Sequence, residues 1–409
     1  MDSAIITTDQ QHQRQVFAES SWSRRGMAVM ALCFVLNMFD GMNVFALTYV
    51  APQLQKQFGA GPEAFSVVFS IGLVGMALGG LVLAPQADRW GRRPVILLAL
   101  ALMAGAMIAS GRAASITELS FDRLLVGIGI GTVLASITAL SAGFAPDRYR
   151  NMAAGVPQAG YPVGATITGF VTAWALPRFG WSPIFTGAGL ATLILLPICF
   201  FVLPEAPGHG QEPTIGIRAA LGGDRKRNTA LLWASTVSGF MVLYFIASWI
   251  TKLAIEAGLA PSQAIIASAI YSSGAFVGTV ALSVIATRVD VRKLIFAMLV
   301  FAAALFLVFG GVKMSLSGIL VTSFLIGVAM QGGVNGNYAL VTGSYPANMR
   351  ATGLGWAMGI GRIGALSGPL VAGVAMGRGL PLFAVFAIFC LPLLVNAFAA
   401  LAVRDAGVN

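Results

Sequence analysis

The sequence predicts an all-α membrane protein, with twelve transmembrane helices arranged in two pseudo-symmetric six-helix bundles. Three observations carry this. Of 409 residues, 57% are hydrophobic and 10% charged, with a mean hydropathy of +0.84; a soluble domain carries about 25% charged residues. Apolar stretches recur at the length of a bilayer core, about 20 residues each. The second half of the chain also repeats the first in a nearly constant register.

Breaking the chain at charged and Pro/Gly-rich points gives spans at 26–51, 64–86, 95–111, 116–143, 151–176, 182–203, 229–256, 262–286, 292–312, 316–342, 351–376 and 379–402. The polar segment 204–228 divides them six and six. The expected organisation is a tail (1–25), an N-terminal bundle (26–203), a linker (204–228) and a C-terminal bundle (229–403). Residues 1–24 are polar and lack the apolar core of a cleavable signal. The abundance of glycine (49 residues) suits closely packed membrane helices.

Lysine and arginine set the orientation. With the N-terminus in the cytoplasm, 17 of the 25 fall on the inner side, 6 on the outer side and 2 inside spans. Both termini are therefore expected in the cytoplasm, in a bacterial inner membrane surrounded by lipid. The net charge of +10 follows from this loop bias and points to no nucleic-acid partner. His12 and His209 fall in polar segments, which excludes a histidine proton relay in the membrane. Cys33, Cys199 and Cys390 sit in apolar runs without metal-site spacing and read as small buried hydrophobes. No metal and no cofactor is expected.

The repeat is direct. "ADRWGRRPVILLAL" from Ala87 matches "ATRVDVRKLIFAML" from Ala286, and "PDRYRNMAAG" from Pro146 matches "PANMRATGLG" from Pro346. Gly127/Gly327 and Gly164/Gly364 keep the same register. Repeated halves of parallel topology imply a transporter that rocks about a central site.

Charges inside the spans mark that site. From Met27 to Ala51 the one charged side chain is Asp40, in "LNMFDGMNVF", about 20 Å along its helix. A lone carboxylate at bilayer centre costs about 2.5–3.5 kcal/mol, so intramembrane acids are read as functional. A buried carboxyl that changes protonation couples a proton gradient to a second solute, and Asp40 is read as that proton carrier. Asp122 and Glu256 lie nearer helix ends and read as solvated. Arg123 lies in the fourth span and Arg362 near mid-depth in the eleventh. Guanidinium binds carboxylates bidentately. One arginine is expected to anchor a substrate carboxylate while the other pairs with Asp40; which does which stays open. Asn43, Tyr161, Tyr244, Trp249, Asn335, Asn337, Tyr338 and Trp356 are candidates to shape the pocket, with Trp249 also placed as an interface anchor. There is no H-E-x-x-H and no catalytic dyad, so an enzyme is not expected.

"ADRWGRRP" resembles the loop signature of the major facilitator superfamily, "RLLVGIGIG" (from Arg123) its fourth-helix pattern, and "DGMN" with "YPANMRATGLGWAMGIGRIGALSGPL" (from Tyr345) its aromatic acid:proton symporter branch. The resemblance covers essentially the whole chain. It implies the major facilitator fold, with helices one, four, seven and ten lining the cavity and Asp40 brought near Arg123. It implies proton-coupled import of a small aromatic carboxylate such as a benzoate or hydroxybenzoate, by a monomer. It also implies gating roles for Asp88, Arg89, Arg92, Arg93, Arg150 and Arg350. Import of aliphatic acids, or export of drug-like compounds, is the alternative; the absence of G-P-x-x-G-G in the fifth helix counts against export. Asn43 stands where the branch usually has a second acid, which argues against a mechanism needing two carboxylates on this helix.

Overall fold

The computed structural model describes residues 24–144, 157–203, 225–345 and 349–403, without the side chains of a few of them, Asp88 and Arg350 included. Twelve long helices run through the described residues. They are α1 (Arg24–Phe58), α2 (Pro62–Leu78, extended through a π turn at Gly79–Leu83), α3 (Arg92–Ser110), α4 (Ile116–Phe144), α5 (Gly160–Phe179) and α6 (Ser182–Val202). The second half holds α7 (Arg225–Glu256), α8 (Pro261–Ile285), α9 (Val291–Gly311), α10 (Leu316–Ile326 and Gly332–Ser344, joined by a π turn at Gly327–Gln331), α11 (Arg350–Gly377) and α12 (Leu382–Ala402). Eleven are long and apolar enough to cross a membrane. The other, α5, spends several positions on Gly, Pro and Thr, as in "GYPVGATITG".

The helix starts follow local chemistry. Pro62 and Pro261 open α2 and α8, where the missing N–H is no loss. Ser315 caps α10 by accepting from the Gly318 N–H at 3.3 Å. Gly91, at φ +88°, turns the chain into α3, a conformation that favours glycine. At the repeat-related position before α9 stands Asp290, which accepts from the Arg292 N–H at 2.9 Å.

Each half packs by the same scheme: α1 on α5, α2 on α4 and α3 on α6, repeated as α7 on α11, α8 on α10 and α9 on α12. The repeated glycines explain the match. A Cβ on Gly127 would strike the Gly72 carbonyl of α2, and one on Gly327 the Tyr271 carbonyl of α8. Gly164 meets the Met38 carbonyl of α1, and Gly364 the Val237 carbonyl of α7. Small residues let the backbones approach where lipid supplies no hydrophobic drive between helices.

The halves meet through α2–α11, α5–α8 and α1–α7. With an even number of crossings, Arg24 at the start of α1 and Val403 just past α12 lie on one side, here the near side. The α1–α7 and α2–α11 contacts fall in the far portions of those helices. The Thr48 hydroxyl donates to the Ala247 carbonyl at 2.7 Å, and Ser70 to Leu366 at 3.3 Å. Glu63 and Ser66 pack on Gly377 and Gly373. Trp249 is not the interface anchor that its position near a span end implied. It is 1% exposed, meets Phe69 edge-on at 5.3 Å and donates to the Pro369 carbonyl at 3.2 Å. The far side is thus closed by a packed seam.

Candidate functional site

Asp40 is completely buried on α1, and among the described residues neither carboxylate oxygen has a hydrogen-bond partner. Its neighbour Gly41 lies against the Tyr161 carbonyl, which brings α1 and α5 into backbone contact. Tyr161 stands within electrostatic reach of Asp40 and, from the other half, of Tyr244 and Tyr271.

Arg123 is 4% exposed. Its Nη2 donates to Ser110 Oγ at 2.5 Å and to Met107 Sδ at 3.0 Å, while its guanidinium lies 5.0 Å from the Phe185 ring centroid. Arg123 Nε has no hydrogen-bond partner among the described residues. Among the described residues the expected pairing of an arginine with Asp40 is not made: the hydrogen bonds of Arg123 go to α3, and Asp40 has none. The α1 residues that share a cavity with Arg123 begin at Asn43, one turn beyond Asp40, and continue through Val44, Leu47 and Thr48. That cavity, about 50 Å³, is also lined by Tyr244 and Ser248. It is far below the roughly 300–1,000 Å³ of a ligand pocket, so the helices have closed around these groups. Asn43 Nδ2 donates to the Phe39 carbonyl at 2.8 Å and to Thr192 Oγ1 at 3.3 Å. Asp122 is not simply solvated: it is half-buried, beside Arg123 and Ser110. Glu256 does sit at a helix end, paired with Lys252 at 3.6 Å.

Arg362 occupies the facing side of the centre. It is half-buried on α11 and its Nη1 donates to the Tyr244 hydroxyl at 3.4 Å. Tyr338 of α10 lies within electrostatic reach of both Arg362 and Tyr244. Aromatic rings flank these groups: Phe240 meets Tyr244 edge-on at 6.2 Å, and Phe45 meets Tyr161 at 5.9 Å. A chain of polar groups, Asp40, Tyr161, Tyr244, Arg362 and Tyr338, therefore crosses from one half to the other. It runs from the buried Asp40 carboxyl to the Arg362 guanidinium, and among the described residues the Arg362–Tyr244 bond is the one hydrogen bond within it.

Asn335 donates to Thr279 Oγ1 at 2.8 Å and accepts from Gln331 at 3.3 Å. Asn337 does not shape the pocket. It is buried inside the second half, where Ser235 donates to its Oδ1 at 2.9 Å and to Asn396 Oδ1 at 2.5 Å. Trp356 is 42% exposed on α11. Sequence reasoning passed over Ser110, Thr279, Gln331 and Asn396; the signal was a polar residue in an apolar run, which is common enough to be weak.

The sequence profile of the Major Facilitator Superfamily matches residues 32–260. The chain belongs to that superfamily. It is a multi-pass membrane transporter and not an enzyme. A gallate transporter of Pseudomonas putida is 31% identical, over 91% of this chain and 91% of its own. The 3-(3-hydroxy-phenyl)propionate transporter of Escherichia coli (strain K12) is also 31% identical, over 88% of this chain and 90% of its own. Among solved structures, a bacterial homologue of the human lysosomal transporter Spinster has the same fold, with a TM-score of 0.73 and 17% identity over 93% of this chain and 96% of that one.

In this major facilitator the arginines of the α2–α3 loop sit in three settings. Arg89 is exposed and Arg92 half-buried. Arg93 lies over the Phe200 ring of α6 at 3.8 Å. Its repeat partner Arg292 donates to the Val403 carbonyl, just past α12, at 3.1 Å. Both thus tie the third helix of a half to the sixth. Arg150 lies outside the described residues, as do the side chains of Asp88 and Arg350.

Proposed function

We propose that the protein imports a small aromatic carboxylate together with protons, by alternating access. The observation that carries this reading is the opposition, across the centre, of an unpartnered buried carboxyl (Asp40) and a guanidinium set among tyrosines (Arg362 with Tyr244 and Tyr338). The guanidinium holds the substrate carboxylate in place of its long bond to Tyr244. The rings of Tyr161, Tyr244 and Phe240 offer faces and edges to an aromatic ring. Asp40 takes a proton from the outer side and gives it up inside. A proton travelling with the anion cancels its charge in the low-dielectric region, and the inward proton gradient drives uptake. Protons are the coupling ion and no cofactor is needed.

The halves 26–203 and 229–403 rock as bodies, joined by the linker 204–228, in a monomer of the bacterial inner membrane with both termini cytoplasmic. In that orientation the packed far side faces outward. The gallate and hydroxyphenylpropionate carriers at 31% identity support an aromatic substrate. Cells stripped of their own aromatic-acid carriers and expressing this chain test it. Uptake of labelled 4-hydroxybenzoate should be blocked by excess benzoates and untouched by excess aliphatic acids. Competition by aliphatic acids alone would reassign the substrate.

A further inference from the structure

The Gln331–Asn335–Thr279 chain takes no part in the steps above. It begins at the π turn of α10, Gly327–Gln331. Such turns insert one residue and are frequent at functional sites. The extra residue rotates the following segment by about 100° relative to an uninterrupted helix. From there Gln331, Asn335, Tyr338 and Thr342 follow at helical spacing and share one face. All four are half-buried, while Gly332, Gly333, Val334, Gly336 and Asn337 between them are buried. Tyr338 shows where that face points, because it lies within electrostatic reach of Arg362 and Tyr244. Gln331 and Asn335 therefore share the face of α10 from which Tyr338 reaches Arg362 and Tyr244.

Their hydrogen bonds run one way. Gln331 Nε2 donates to Asn335 Oδ1 at 3.3 Å, and Asn335 Nδ2 donates to Thr279 Oγ1 at 2.8 Å. This orients both carboxamides and leaves Gln331 Oε1 with no hydrogen bond among the described residues. A phenolic O–H is the complementary donor.

We propose that Gln331 and Asn335 form a subsite for a ring hydroxyl, so that the protein selects hydroxylated aromatic acids over unsubstituted ones. This rests on the reading of Arg362 as the carboxylate holder. The two residues set specificity, and Thr279 positions Asn335.

Calorimetric titration of the purified full-length protein with benzoate, 4-hydroxybenzoate and 3,4-dihydroxybenzoate tests it. The wild-type protein should bind the better hydroxylated acid about tenfold more tightly than benzoate, as one added hydrogen bond implies. Gln331→Leu should erase that preference while leaving the benzoate affinity unchanged. Equal affinities for all three acids in the wild-type protein would overturn the subsite alone, and so would a variant that weakens benzoate and hydroxybenzoates alike. No binding of any of the three would overturn the carboxylate reading, and the subsite with it.

Discussion

Arg362 on α11 donates to the hydroxyl of Tyr244 on α7 at 3.4 Å, a long bond for a guanidinium with no carboxylate partner among the described residues. Charge-assisted bonds to a carboxylate run shorter and stronger. Arg362 therefore gains when a carboxylate arrives.

Arg362→Ala should weaken aromatic carboxylates by about tenfold to a hundredfold, the range set by losing hydrogen bonds to a charged group. Uncharged analogues such as benzamide should change little. Equilibrium binding of the matched pair measures this, and equal losses would assign Arg362 to packing between α11 and α7.

Asp40→Asn should abolish accumulation against a gradient and leave exchange of labelled for unlabelled substrate intact. The amide keeps the shape of the side chain and cannot carry the proton. Counterflow and gradient-driven uptake on the same vesicles separate the two effects. Gradient-driven uptake at the wild-type level would remove Asp40 from the coupling step.

The repeated glycines should prove structural in both halves. Gly164→Leu and Gly364→Leu force a side chain into the Met38 and Val237 carbonyls. Overpacking of this kind costs about 1–3 kcal/mol, or more where backbone must move. Both variants should melt earlier in detergent, by similar amounts if the halves are equivalent. A melting temperature unchanged in either would show that the helices part freely at that point.

Asp290, outside the membrane-spanning segments, is held at about 2 by its hydrogen bonds from the Arg292 side chain, with the Arg292 N–H and nearby positive charge adding to this. A carboxyl depressed in the folded state stabilises it above the ordinary carboxylate range, and that contribution is lost as pH falls toward 2. Asp290→Ala, which also removes the cap of α9, should cost about 1 kcal/mol at neutral pH. The gap in melting temperature between variant and wild type should narrow as pH falls through 4. A gap independent of pH would mean the cap works without its charge.

The sequence made the charged centre legible because Asp40 and Arg362 stand alone in apolar runs, where each must have a reason to be. Gly127/Gly327 and Gly164/Gly364 revealed the repeat for a similar reason: close backbone contact tolerates nothing larger. Uncharged polar residues were harder to assign. Asn335 and Asn337 are two apart, and a helix points them to opposite faces, so one reaches Thr279 of α8 while the other joins Ser235 and Asn396 in the core. The face of Gln331 depends on a π turn, which leaves no pattern in the residues. The expected pairing of Asp40 with an arginine is not made among the described residues, for a related reason. Fold-level adjacency of helices one and four says nothing of the one-turn difference by which the cavity at Arg123 is lined by α1 from Asn43 to Thr48 and not by Asp40.

The central claim is that an aromatic carboxylate and a proton cross together. Uptake of radiolabelled 4-hydroxybenzoate by the purified protein in liposomes tests it most directly, with an inward proton gradient, without one, and with a protonophore. The account predicts transient accumulation above the external concentration when the gradient is present, collapsing to equilibration when the protonophore is added. Uptake indifferent to the gradient, or no uptake of the acid at all, would contradict it.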